Sequence, residues 1–179
     1  MLADSRFHDF LLACDRDLAD DQHRQCCANC GGKLDVANYK RKPRGRPLKL
    51  GPEHDNRFSF CCRRDGCRGR ATPPSLRFLG RRVYLAAIVV LIAIVQTGAS
   101  ASRLGRLNAI IPVPPRTIAR WRQWWRRTFT STPFWQIARA RFMPPVVADA
   151  LPGSLLERFD GDDRGRLVAL LRFVGGTTR

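Results

Sequence analysis

An α+β fold, mostly α, is what the sequence predicts: a small cysteine-held ribbon, then a three-helix unit, then a helical tail. Three observations predict it. Residues 26–79 lack periodic apolar pattern and are rich in Cys, Gly, Pro and Arg, so a conventional core cannot hold them. Residues 80–130 carry apolar positions at helical intervals. Residues 131–179 are cut into helix-sized pieces by "MPP", "LPG" and "FDGDDRG". The expected organisation is therefore an N-terminal helix over 1–25, the ribbon over 26–79, the three-helix unit over 80–130 and the tail over 131–179.

The N-terminal piece places Phe7, Phe10, Leu11 and Leu18 at helix-like intervals with acidic residues between them. It reads as a short amphipathic helix, a lid or a partner contact. What holds the next piece is visible in "CCANCGG" and "FCCRRDGC". Cys27 and Cys30 form a C-x-x-C followed by Gly31 and Gly32, which permit the tight turn that bends two thiolates onto one ion. Cys62 and Cys67 form the second half, longer than usual. "RFSFCC" alternates, so that Phe58, Phe60 and Cys62 share one face of a candidate strand. Four thiolates from two knuckles are the donor set of one structural Zn2+, closed to water and so without hydrolytic chemistry. The spacing leaves Cys26 open as a replacement for Cys27, and Cys61 for Cys62; His23 and His54 are substitute candidates. Cys14 stands alone, a thiol on a helix.

Charge points to the partner. The chain has 179 residues, 44% hydrophobic and 26% charged, the composition of a folded protein of one ordinary domain or two small ones. Its 32 basic residues outweigh 15 acidic ones, giving a net charge of +17 and a pI of about 11.1. Such an excess calls for a polyanion, of which nucleic acid is the commonest and a membrane surface the rival. The start has no basic region followed by an apolar run and a small-residue cleavage site, so the expectation is cytoplasmic and nucleoid-associated, a reducing setting in which cysteines serve as thiols or ligands. The apolar stretch Val83–Val95 is short of the roughly 20 residues of a membrane span and reads as a buried helix, with no membrane partner.

Between the knuckles lies "NYKRKPRGRPLKLG", which has no acidic residue. Its centre, "KPRGRPLK", resembles the AT-hook, in which Arg-Gly-Arg lies extended in a narrow minor groove. That resemblance implies DNA contact by Arg44 and Arg46, flanked by Arg41 and Lys42; phosphate contact without sequence preference, or a solvated loop, stays open.

After the ribbon three helices can be drawn, over 80–96, 99–108 and 114–129, the last begun by Pro114 and Pro115. This is the order of a helix-turn-helix with a leading support helix. On the last helix Ile118, Trp121, Trp125 and Thr128 are expected to face the core, with Trp124 partly exposed. Arg116, Arg120, Gln123 and Arg127 form a polar stripe on another face, with Thr117 beside it. Arg pairs bidentately with guanine and Gln with adenine, so this stripe is the candidate base-reading surface for double-stranded DNA.

The order "CANC", basic loop, "FSFCC" and "GC", then "LRFLGRRVYLAAIVV", "GASASRLGRL" and "PPRTIARW" resembles the N-terminal module of bacterial insertion-sequence transposases, a zinc ribbon preceding a helix-turn-helix. It is also similar to stand-alone Arg-rich zinc-ribbon proteins of mobile elements. The resemblance covers about residues 26–130, and the knuckle "CRRDGC" departs from it, leaving the third ligand in doubt. It implies site recognition at element ends and a transposase or recombinase partner. The catalytic domain of those transposases is not legible here: Asp149, Glu157, Asp160, Asp162 and Asp163 lie in or beside loops, and Asp162 or Asp163 reads as a helix cap. No phosphate-binding loop or nucleophile motif is present in the sequence. The tail leucines Leu155, Leu156, Leu167, Leu170 and Leu171 form one-sided faces for the core or a homodimer. The expected function is a non-enzymatic DNA-binding accessory factor or regulator of transposition or recombination; an RNA- or protein-binding module of a larger nucleoprotein complex is the alternative.

Overall fold

The computed structural model describes residues 4–41, 50–78 and 114–175. It is a mixed α+β chain in which small antiparallel sheets carrying a cysteine cluster are followed by helices. Helix α1, Ser5–Arg24, starts where the Asp4 carboxylate accepts the Arg6 N–H. Phe7, Leu11, Asp15 and Ala19 recur every four residues and are all buried, a stripe along the whole helix. Its first half packs into an apolar core with Trp121, Trp125, Leu155 and Leu167, and Ala19 packs into a second core with Leu34, Phe60 and Cys62. The helix expected as a lid or a partner contact is thus a strut joining these two cores, because its apolar stripe is long enough to serve both.

The ribbon is one antiparallel hairpin in a single register. Strand β1, Leu34–Val36, pairs with β4, Phe60–Cys62; β2, Tyr39–Lys40, pairs with β3, Asn56–Arg57. The ladder is stitched between them: the Ala37 N–H donates to the Ser59 carbonyl (2.8 Å), while the Ser59 N–H donates to Asn38 Oδ1 (3.0 Å). That side-chain bond divides the single strand expected over "RFSFCC" into β3 and β4. Strand β5, Arg70–Ala71, closes the sheet on the other side of β4. The Arg41 N–H to the Asp55 carbonyl (2.6 Å) extends the pairing to the edge of the described chain. Lys42, Arg44 and Arg46, and the notional helices over 80–96 and 99–108, lie outside the described residues.

Beyond the ribbon, Ser75, Leu76 and Arg77 are pinned to α1 by a buried ion pair. Arg77 Nε donates to Asp15 Oδ2 at 2.8 Å, and the Leu76 N–H donates to Asp15 Oδ1 at 2.7 Å. The other Arg77 nitrogens donate to the His54 and Asn56 carbonyls at 3.0 and 2.9 Å. Burial lowers the Arg77 pKa from its ordinary value against the pull of Asp15, yet every strong donor here meets an acceptor.

Helix α2, Pro115–Gln123, begins with Pro at its first turn and runs into a wider π turn, Trp124–Phe129. The widened turn changes which residues face inward. Trp121, Trp125 and Phe129 are buried, whereas Thr128, expected inside from a 3.6-residue period, is exposed. Thr117 is buried too, 5% exposed. Helices α3 (Pro133–Ala138), α4 (Gly153–Leu156) and α5 (Asp163–Gly175) cover this aromatic row through Trp135, Leu155, Leu167, Leu170 and Leu171. The Asp162 carboxylate accepts the Gly165 N–H at 2.8 Å, so that of the two candidate caps, Asp162 and Asp163, the first caps α5. Among the described residues no helix is long and apolar enough to cross a membrane; Val83–Val95 lies outside them.

Candidate metal centre

Cys27, Cys30, Cys62 and Cys67 converge, their Sγ atoms all within 4.8 Å of one another. Two contacts cross between the knuckles: Cys27 to Cys67 at 3.8 Å and Cys30 to Cys62 at 3.4 Å. A tetrahedral ion with Zn–S bonds of about 2.3 Å sets its sulfurs about 3.8 Å apart, so this cage fits one such ion without rearrangement of the backbone. All four are free thiols rather than disulfides.

The two knuckles are built alike despite unequal length. In the first, the Cys27 N–H donates to the Gly32 carbonyl (2.8 Å); in the second, the Cys62 N–H donates to the Gly69 carbonyl (2.9 Å). The residue after the second cysteine has positive φ in both, Gly31 at +68° and Arg68 at +44°. Two residues further than the second cysteine stands a glycine against the sulfurs: a Cβ on Gly32 would lie 3.1 Å from Cys62 Sγ, and one on Gly69 would lie 3.5 Å from both Cys27 and Cys67 Sγ. The additional residues of "CRRDGC" are absorbed by a turn in which the Cys67 N–H donates to the Arg64 carbonyl (3.2 Å). The departure in spacing therefore leaves the ligand set intact.

The open choices within the cysteine pairs are resolved by strand geometry. Cys62 faces inward on β4 and is 1% exposed, whereas its neighbour Cys61 points to the other face, with its Sγ 3.6 Å from the Arg68 carbonyl. Cys26 is exposed and outside the cluster. His23 is occupied elsewhere: its ring stacks on Phe60 at 4.9 Å and its Nε2 bonds the Leu34 carbonyl at 3.0 Å. His54 is bonded through Nε2 to Asp9 at 3.1 Å.

Electrostatics fit a cation. The Gly32 N–H, with the neighbouring thiols, draws the Cys30 pKa from 9.0 to about 7. The Arg64 N–H pulls Cys62 the same way, but burial and the other thiols outweigh it and push Cys62 up to about 12. Cys67 is also raised, the neighbouring thiols and burial overcoming the Gly69 N–H. One thiolate is easily formed and the later ones resist, because like charges crowd; a divalent ion removes that resistance. Closed by four sulfurs, such a centre folds the ribbon and leaves no position for a reacting water.

Of the residues singled out for DNA, Arg116, Arg120, Gln123 and Arg127 are exposed on α2 and its π turn. Thr117 is not among them; it is buried, and its Oγ1 accepts from Arg120 Nη2 at 3.3 Å. Arg41 is half-buried at the end of β2. Two features escaped the sequence reading. The Asp15–Arg77 pair joins residues far apart in the chain, and Arg70 lies beside Tyr39 only because β5 folds back on β4.

Searches against protein-family models, curated proteins and solved structures each returned no match. The four-cysteine cluster on small antiparallel strands marks a zinc-ribbon-like module.

Proposed function

We propose that this chain is a non-enzymatic DNA-binding protein whose ribbon is folded by one Zn2+ on Cys27, Cys30, Cys62 and Cys67 and whose helix α2 approaches double-stranded DNA. The observation that carries the reading is the two-sidedness of that helix. Trp121, Trp125 and Phe129 anchor one side in the core, while Arg116, Arg120, Gln123 and Arg127 stand exposed on the other. An open groove beside them is lined by Ala119, Arg122, Gln123, Arg126 and Arg127. A helix held rigidly by buried tryptophans loses little freedom on presenting guanidinium and amide groups to base edges and phosphates. The net charge of +17 supplies long-range attraction for a polyanion. Taken with the motif order of insertion-sequence modules, the role is accessory factor or regulator of transposition or recombination in a bacterial mobile element, with a transposase or recombinase as protein partner.

Fluorescence anisotropy of a labelled duplex, titrated with zinc-loaded protein in the presence of random competitor, tests this. On a selected site Arg120→Ala weakens binding by about 1–3 kcal/mol and leaves random DNA nearly unchanged. Equal loss on both removes the base-reading role, and no binding at low salt removes the DNA reading.

Ile137, Met143 and Val147, exposed by 73%, 82% and 59%, favour the second reading, a docking module in a nucleoprotein complex. Capture of a recombinase that survives nuclease treatment distinguishes it.

A further inference from the structure

The ribbon has a second basic surface, separate from α2. Leu34, Phe60 and Cys62 pack on one face with Ala19 of α1. Strand alternation assigns Asp35, Cys61 and Arg70 to the opposite face, since these pair directly across β1, β4 and β5. The register continues unbroken into β2, so Tyr39 and Arg41 share that face. There the Arg41 guanidinium lies 4.9 Å from the Tyr39 ring centroid, and that of Arg70 lies 5.3 Å from it.

Two other arginines of the ribbon are paired with acids, and two, Arg57 and Arg64, donate to the Pro73 and Cys30 carbonyls. Arg63 pairs with Asp35 at 2.7 Å and Arg68 with Asp65 at 3.1 Å. Arg41 and Arg70 have no acidic partner among the described residues. Stacking on an aromatic ring leaves the N–H edges of a guanidinium unused and keeps its charge, while fixing a side chain that otherwise loses rotamer freedom on binding. Two such guanidiniums on one ring form a preordered double donor.

We infer that Arg41 and Arg70, seated on Tyr39, form a phosphate-binding platform that holds the backbone of double-stranded DNA against the ribbon where Arg70 of β5 stands exposed, while Arg57, paired across from Tyr39, is buried under Pro73. This rests on the DNA reading and adds a division of labour. The platform sets orientation without regard to sequence, and α2 reads bases. It also places duplex backbone at the strand end from which the basic segment beginning at Lys42 departs.

The test is the salt dependence of binding to a random duplex, measured by anisotropy for wild type, Arg70→Gln, Arg41→Gln, the double variant and Tyr39→Leu. Bound zinc and far-UV circular dichroism serve as folding controls. Each guanidinium removed is expected to lower the slope of log K against log salt by about 0.9, with a several-fold loss of affinity on cognate and random DNA alike. Tyr39→Leu is expected to weaken binding several-fold with both arginines present, and Tyr39→Phe to leave it unchanged. Wild-type binding with an unaltered slope in the folded double variant overturns the platform alone. Absence of wild-type binding overturns the DNA reading and the platform with it.

Discussion

At the residue scale the decisive quantity at the cysteine cluster is the number of protons its ligands hold. Cys62, pushed up to about 12, and Cys67, also raised above its ordinary 9.0, are both protonated at pH 8. An ion that binds them as thiolates displaces those protons, so affinity for Zn2+ rises with pH and falls as pH drops. At least two protons per ion are expected to appear at pH 8. Calorimetry in buffers of different ionisation enthalpy counts them; release of none would mean that the ion does not bind these thiols. The sign follows from the raised values, since a thiol whose pKa is raised keeps its proton over a wider range and yields it only to the cation. Neighbouring residues gain opposite fates from the pleat: Cys62 joins the four-sulfur cluster and Cys61 does not, which the sequence left open because C-C pairs offer two registers.

Among the elements, α2 shows how a local widening redistributes a face. A regular α period through Ile118, Trp121 and Trp125 of "TIARWRQWWRRTF" places Thr128 inside. The π turn Trp124–Phe129 selects Phe129, whose ring lies 4.9 Å from Trp125 and 5.0 Å from Trp135. Phe129→Ala is therefore expected to cost about 3–5 kcal/mol of stability and Thr128→Ala within about 0.5. Urea unfolding of the zinc-loaded protein separates the two; comparable losses would restore the regular helix. Helix α1 carries the converse lesson. Phe7 and Leu11 announce an amphipathic helix, but its second partner is visible only once Ala19 is seen against Phe60 and Cys62.

At the scale of the whole molecule, the described residues gather their buried apolar side chains in two cores of unlike chemistry. The helical core contains five buried large aromatics, Phe7, Trp121, Trp125, Phe129 and Trp135, beside a row of leucines. The ribbon core is Ala19, Leu34 and Phe60 with cysteines, too little apolar surface to order the hairpin by itself. Removing the ion with a chelator should unfold the ribbon first, exposing residues 26–78 to protease, while most helical circular dichroism persists. Simultaneous loss of both signals would show that the Asp15–Arg77 pair makes the cores one cooperative unit.

By itself the sequence determined the cysteine-held ribbon, the basic character, the Pro-started helix and an aspartate cap at 162 or 163, because each depends on residue type and local spacing. Only the tertiary structure decided which cysteine of each pair faces inward, that α1 joins two cores, that Asp15 meets Arg77, and that Arg41 and Arg70 share one tyrosine. These are contacts between segments distant in the chain, set by strand register and by burial, and no local pattern encodes them.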